Sequence, residues 1–329
     1  MSLFDRLFPE KDPRPKVHED KTFGLSAGRA AQDDAVRGDW RKLREVMAKE
    51  RDPARRWRYA NIAAEGLQAR VSQWLEGEPG DSDAWLVAGI DAINRGGAIR
   101  GSAKADDTPE DRWEPFEECM NEAEEALSRA VELQPEDPLP RMGLLNTAVT
   151  LGAPLEERVA RFEEVRRRAP SLVGAHVGIM TALTKKWGGS HEMMFETARR
   201  SVETAPDRSA VPTVLPLAHV ERWLYIRHWE NDEERARGYF RQPEVLREIR
   251  DCHRRCARVE QGSARWVANV FAFCFYLADD ARATRQEFEK AGGLYTGLPW
   301  DYVGGAKAYD HAMGSIWKRG APPAPIGSS

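Results

Sequence analysis

The sequence predicts an all-α fold, arranged as a solenoid of helical hairpins. The prediction depends on three helical segments that each close on a proline, which stops a helix. These prolines, Pro135, Pro170 and Pro206, are 35 and 36 residues apart. A period of about 34 residues with two helices per period is typical of helical repeats, in which stacked neighbours bury the apolar face that a single hairpin leaves exposed.

Composition supports a folded, water-facing chain. Of the 329 residues, 41% are hydrophobic and 31% are charged, which is enough apolar material for a core. The net charge of −4 argues against a general nucleic-acid binder, which usually carries a basic surplus. No apolar run reaches the roughly 18 residues of a membrane span, and the first residues lack the apolar core of a signal peptide. We therefore expect a cytoplasmic protein whose four cysteines are reduced.

Residues 1 to 25 are predicted to form an N-terminal arm. Phe4, Leu7 and Phe8 lie at helical spacing, and three prolines then interrupt regular structure. Two interpretations stay open. The arm either folds back on the first helices or is a short docking peptide for a groove on a partner.

Residues 26 to 107 are predicted to form the N-terminal helical hairpins. Asp52 followed by Pro53 predicts a helix start, with Asp52 as the cap and Pro53 as the first helical residue. The acidic residues at 81 and 83 predict the cap of a later helix. The segment from Arg95 to Asp107 is polar and glycine-bearing, which predicts a long loop. It is not a phosphate-binding P-loop, because no strand precedes it and no Gly-Lys-Ser/Thr follows.

Residues 108 to 206 are predicted to form the regular repeats, with caps at Asp137 and Ser190. One helix is expected over 172–187, where two glycines then stop it. The phrase Ala-Leu-Ser-Arg-Ala-Val-Glu-Leu-Gln-Pro-Glu-Asp-Pro, residues 126 to 138, resembles the end of a tetratricopeptide repeat. That resemblance covers about residues 112 to 206, without the usual Trp and Gly-Tyr positions of the first repeat helix.

A second resemblance concerns the phrase Lys-Trp-Gly-Gly-Ser-His-Glu-Met-Met, residues 186 to 194. It is similar to a Trp-Gly-Gly-Ser phrase in the bacterial DUF4034 proteins, a family with tetratricopeptide-like helices. This resemblance implies no activity.

Residues 207 to 319 are predicted to form C-terminal helical hairpins and a cap, and residues 320 to 329 a disordered tail rich in proline. The whole chain is expected to form an array of about 12 to 14 helices. Cys252 and Cys256 fall on the apolar face of one helix, so we interpret them as core residues and expect no metal site.

The function that this architecture predicts is a non-enzymatic scaffold that binds a peptide or a helix of another protein on its concave face. We expect no cofactor. Candidate contact positions lie on the first helices of repeats and at the Trp-Gly-Gly-Ser-His turn: Asn146, Thr150, His176, Met180, Lys185, Trp187 and His191.

An arginine stripe supports a first alternative. Arg247, Arg250, Arg254 and Arg258 step by three or four residues and so share one helix face, opposite the apolar one. The stripe is either a solvated, ion-paired face or a site for nucleic acid or an acidic regulatory peptide.

A second alternative is an enzyme whose site is dispersed through the sequence. No nucleophile elbow, zinc-protease motif or dinucleotide fingerprint occurs. Such a site would have to combine the glycine-rich residues 96–102 with the turn at 187–191 in one pocket.

Overall fold

The structure is a computed structural model that describes residues 14–23, 26–101 and 107–319. These ranges contain sixteen α-helices and one pair of two-residue strands, so the predicted all-α class is confirmed. Within the same ranges, no helix combines the length and the apolar character needed to cross a membrane. Phe4, Leu7, Phe8 and the predicted tail lie outside the described residues.

The N-terminal half contains eight helices, numbered here in chain order. They are α1 Ser26–Arg37, α2 Trp40–Lys49, α3 Pro53–Leu67, α4 Val71–Gly77, α5 Ser82–Arg100, α6 Trp113–Leu133, α7 Pro138–Thr150 and α8 Leu155–Arg168. The C-terminal half contains the other eight. They are α9 Val173–Ala182, α10 His191–Glu203, α11 Val214–His228, α12 Glu233–Tyr239, α13 Pro243–Arg255, α14 Gln261–Leu277, α15 Ala281–Ala291 and α16 Ala306–Lys318.

Helices α1, α3, α5, α7, α9, α11 and α14, which we term the first row, contact one another in succession. Between α5 and α11, the even-numbered helices α6, α8 and α10 each pack against both of their neighbours in the sequence. Two large apolar cores run through the chain, and both include residues of α9. Each hairpin therefore buries its apolar face against the next one.

Local signals predicted several helix starts correctly. Asp52, Asp81, Asp137 and Ser190 each accept a hydrogen bond from a backbone amide in the first turn of α3, α5, α7 and α10. These oxygens satisfy amides that have no partner inside the helix.

The prediction of a loop from Arg95 was wrong, because α5 continues to Arg100. Gly96 is buried in this helix, and a Cβ there would lie 2.5 Å from Cε of Met120 and 3.1 Å from Cβ of Cys119. The glycine therefore permits close packing of α5 against α6 and does not mark a loop. Residues 102–106 of the predicted loop lie outside the described residues.

Two further expectations need correction. Sixteen helices occur in the described ranges where 12 to 14 were expected, and one of them, the short helix α12, lies in the charged segment 231–242 that was predicted to be a connection. The helix expected over 172–187 ends at Ala182, and a separate 3₁₀ turn, Lys185–Trp187, follows it.

The described part of the arm joins the two ends of the fold. Strand β1, His18–Glu19, pairs in parallel with β2, Leu294–Tyr295, and the amide of His18 donates to the carbonyl of Gly293 over 3.0 Å. The carboxylate of Asp20 accepts a hydrogen bond from Arg29 on α1 over 2.8 Å. The arm thus contacts the first helix and the C-terminal end at once.

Candidate binding site

A cavity of about 740 Å³ lies beside the first row, and we term it the first-row cavity. Its walls come from α3, α7, α9 and α14, from the arm, and from the loop that follows β2. A cavity of this volume lies within the usual range for ligand sites, about 300–1,000 Å³.

The first-row cavity combines apolar and aromatic walls with a few polar groups. Its apolar and aromatic lining includes Trp57, Ile62, Met142, Leu172, Val177 and Trp266. Amphipathic rings such as indoles supply large contact areas for a bound chain.

Arg58, on α3, also lines this cavity. Its guanidinium stacks on the ring of Phe23 from the arm, 3.6 Å from the ring centroid, which is a cation–π contact. Its Nη1 atom is buried and has no hydrogen-bond partner among the described residues. Burial lowers the pKa of Arg58 to about 10, because the charged guanidinium has lost part of its hydration.

Four carboxylates line the same cavity, those of Glu19, Asp20, Glu65 and Asp301, and folding shifts the pKa of two of them. Burial raises the pKa of Asp301, and the nearby charge of Glu19 adds to the effect. Burial also acts to raise the pKa of Asp20, but hydrogen bonds from Thr22 and Arg29 outweigh it and lower the pKa to about 2. Asp20 is therefore ionised at neutral pH, and it is held by its own neighbours.

A second, larger space of about 900 Å³ adjoins the cavity, and we term it the first-row groove. It runs between α3, α4 and α5 and shares Lys21 and Glu65 with the cavity. In its wall, Arg95 donates to Asp91 over 2.9 Å and to Glu122 over 2.6 Å. Lys21 and Glu65 pair with each other where the two spaces meet, and we term the two spaces together the track.

Two of the predicted contact residues are buried and do not lie on a surface. His176 is 2% exposed and Met180 1% exposed. Ser201 and the carbonyl of Pro170 hydrogen-bond the two ring nitrogens of His176, each over 3.0 Å, and the ring packs edge-on against Phe162. His176 thus faces α8 and α10. It lies about 100° around the helix from Val177, which lines the cavity.

The other first-helix positions are half-buried or exposed but do not line the track. Asn146 and Thr150 are half-buried, and Lys185 is exposed. On the same helices, the cavity wall is formed by Met142, on α7, and Val177, on α9. None of these three predicted positions lines the first-row cavity or the first-row groove.

The Trp187–His191 turn forms a packed corner. A Cβ on Gly189 would lie 2.2 Å from the carbonyl oxygen of Leu183, so the second glycine is required by close backbone contact. His191 packs edge-on against Tyr225, and burial together with Arg222 lowers the pKa of His191. His191 lines a small cavity, and Ala98 lines the first-row groove. Neither of these two spaces brings residues 96–102 and the turn at 187–191 together, as the predicted dispersed enzyme site would require.

The arginine stripe is exposed along its whole length, as its spacing predicts. Arg250 pairs with Asp280 over 3.0 Å, and Arg254 pairs with Asp251. On the opposite face, Cys252 and Cys256 are buried and free, and burial raises the pKa of both thiols to about 12. Among the described residues, no group of three or more His, Cys, Asp and Glu could hold a metal ion.

Sequence reasoning did not identify the residues of the first-row cavity. They come from segments between residues 19 and 301, and each one has an ordinary helical or loop context. The available signal was the pair of adjacent large side chains Trp57 and Arg58, in a helix that begins after a clear cap.

No protein-family model matches the chain, and no curated protein matches it at a significant level. The likeness to tetratricopeptide repeats and to the DUF4034 proteins therefore stays a prediction from the sequence.

Proposed function

We propose that this protein is a non-enzymatic binding scaffold, and that an extended peptide of a partner protein occupies the track formed by the first-row cavity and the first-row groove. The successive contacts of the first-row helices support a tetratricopeptide-like stack, in which such a row forms the concave face. The observation that carries the proposal is that two large spaces lie side by side along the first row and meet at the ion pair of Lys21 with Glu65, across which one extended chain would reach both.

The chemistry of the track suits a peptide. Aromatic and aliphatic walls alternate with carboxylates and cations, so apolar anchors and polar side chains of one chain would both find partners. The arm supports the same conclusion, since residues 18–19 already lie extended against this end of the track and pair with β2. Main-chain pairing of this kind is a common mode of peptide recognition.

Selection of peptides from a displayed random library on the immobilised full-length protein tests the proposal. The affinity of each enriched peptide is then measured by fluorescence anisotropy for the wild type and for Val177→Lys, which places a charge in the cavity wall. We expect at least about a tenfold loss of affinity in this variant, the usual effect of disrupting one anchoring contact.

Val159→Lys is the matched control, because Val159 lies on α8 and is 39% exposed. It should bind the same peptides as tightly as the wild type. Circular dichroism verifies that both variants are folded. Peptides that bind Val177→Lys as well as the wild type, or a library that yields no binder, would contradict the proposal.

A further inference from the structure

A smaller cavity of about 200 Å³, which we term the arginine pocket, lies next to the first-row cavity. It forms where the start of α3, the start of α14 and the turn at Arg208 meet. Arg58, Ala54 and Ser263 line both spaces, so the Arg58 side chain lies between them. The pocket is distinct from the peptide track, and an inference about it does not depend on peptide binding.

The cations of the arginine pocket are incompletely paired. Among the described residues, neither Arg58 nor Arg208 has a carboxylate oxygen within ion-pair distance. Arg55 donates from Nη2 to Glu50 over 3.0 Å, but its Nε atom is buried without a hydrogen-bond partner, as is Nη1 of Arg58. Both of these nitrogens are closed to water, so an anion in the pocket would accept from the other guanidinium donors of these arginines.

Two carboxylates line the pocket. Asp52 caps α3, where its Oδ1 accepts from the amide of Arg55 over 3.0 Å. The side chain of Glu260 makes no cap hydrogen bond to α14, and the residue is exposed. Its backbone amide donates to the carbonyl of Arg208 over 3.2 Å, which fixes the turn that carries Arg208 beside the start of α14. Neither carboxylate lies within ion-pair distance of Arg58 or Arg208, and each guanidinium keeps donors for another acceptor.

We infer that the arginine pocket binds one oxyanion, of the phosphate or carboxylate class, held by the guanidinium groups of Arg58 and Arg208, with Arg55 adding a third positive charge in the pocket wall. The volume suits a single such group with a few waters, since a water occupies about 30 Å³ in the liquid. Gly262 and Ser263 of the first turn of α14 line the same pocket, but the amide of Ser263 already donates to the carbonyl of Glu260 over 2.9 Å. The amide of Gly262, which has no partner within the helix, adds one donor beside the arginines.

Calorimetric titration of the full-length protein with inorganic phosphate, and separately with acetate, tests this inference. We expect heat of binding for at least one of the two anions, and a rise in Tm in its presence. Arg58→Gln should weaken that binding about tenfold to a hundredfold, because a hydrogen bond to a charged group is lost. Arg208→Gln should weaken it in the same direction.

Arg282→Gln is the control, because Arg282 is exposed on α15 and lies outside the pocket. It should bind the anion like the wild type. Arg58→Gln also changes the stability of the protein without any ligand, so the measured quantity is the additional rise in Tm that the anion causes. An equal rise in the wild type, Arg58→Gln and Arg208→Gln, or no heat with either anion, would overturn the inference.

Phenyl phosphate separates two sources of the same chemistry. If it competes with inorganic phosphate at comparable concentration, the pocket accepts a phosphoryl group carried on a larger molecule. If only the inorganic anion binds, the pocket is a site for the free ion. Peptide affinity measured with and without phosphate then shows whether the two sites are coupled, and failure of either site leaves the test of the other intact.

Discussion

Arg56 connects three helices of the first row at their amino ends. Its Nη1 donates to Asp137, the cap of α7, over 2.5 Å, and its Nη2 donates to Asp83 in the first turn of α5. The side chains of Asp83 and Asp137 are only 10% and 2% exposed. Replacing Arg56 with Met would therefore leave two buried carboxylates without their shared cation.

The expected loss of stability follows from this geometry. Removing one partner of a buried ion pair typically costs about 3–5 kcal/mol, because the other charge stays buried. Both carboxylates lie at helix amino ends, where the helix dipole stabilises each negative charge by about 0.3–1 kcal/mol. We therefore expect Arg56→Met to lower the free energy of unfolding by about 3 kcal/mol, the low end of that range.

The loss should also depend on pH. Burial raises the pKa of Asp83, and the charge of Arg56 opposes that rise. A carboxyl group whose pKa is raised by folding reduces stability as the pH rises above its unfolded pKa, since the folded state resists its ionisation. Without Arg56 the pKa rises further, so Arg56→Met should lose more stability at neutral pH than near the unfolded pKa of about 3.9.

Urea unfolding followed by circular dichroism measures both effects. Lys49→Met is the control, because Lys49 and Glu45 form an exposed pair, and we expect a change of about 0.5 kcal/mol or less. A triple variant that also carries Asp83→Asn and Asp137→Asn should recover much of the loss, since Asn still caps a helix. A loss below about 1 kcal/mol in Arg56→Met, or no recovery in the triple variant, would refute this account of the buried charges.

The two remaining predictions concern the arm and acid stability. Gly293→Ala places a Cβ 2.3 Å from the carbonyl oxygen of Lys16 and should detach the arm. Limited proteolysis detects this as faster cleavage before α1. The Cβ of the control Gly292→Ala meets nothing within 4 Å, so cleavage should be unchanged. A hydrogen bond from His219 lowers the pKa of Glu248 to about 2, so its stabilisation is present above the usual pKa of about 4.3 and is lost as the pH falls towards 2. Urea midpoints measured across that range should fall less steeply in Glu248→Gln, and equal slopes would contradict the assignment.

The sequence by itself determined the all-α class and several helix starts, because helix signals are local. The cap residues Asp52, Asp137 and Ser190 precede helices as expected, and Cys252 and Cys256 are buried as their spacing predicts. Each of these features depends on residues within one or two turns, and period and capping record that information directly.

The contacts between distant segments were decided only by the tertiary structure. Strands β1 and β2 are two residues each and lie on opposite ends of the chain, so neither has a strand-like pattern of its own. Gly96 also could not be interpreted from the sequence. A glycine that permits close packing of two helices has the same sequence signal as one in a loop.

The binding track and the arginine pocket depend on the same long-range contacts. Arg58 looks like any charged residue near the start of a helix, and its burial beside Phe23, Arg208 and the start of α14 arises because those segments meet in the fold. Periodicity predicts which face of a helix is buried, but it does not specify which distant segment covers the end of that face. That information resides in the packing of the whole chain.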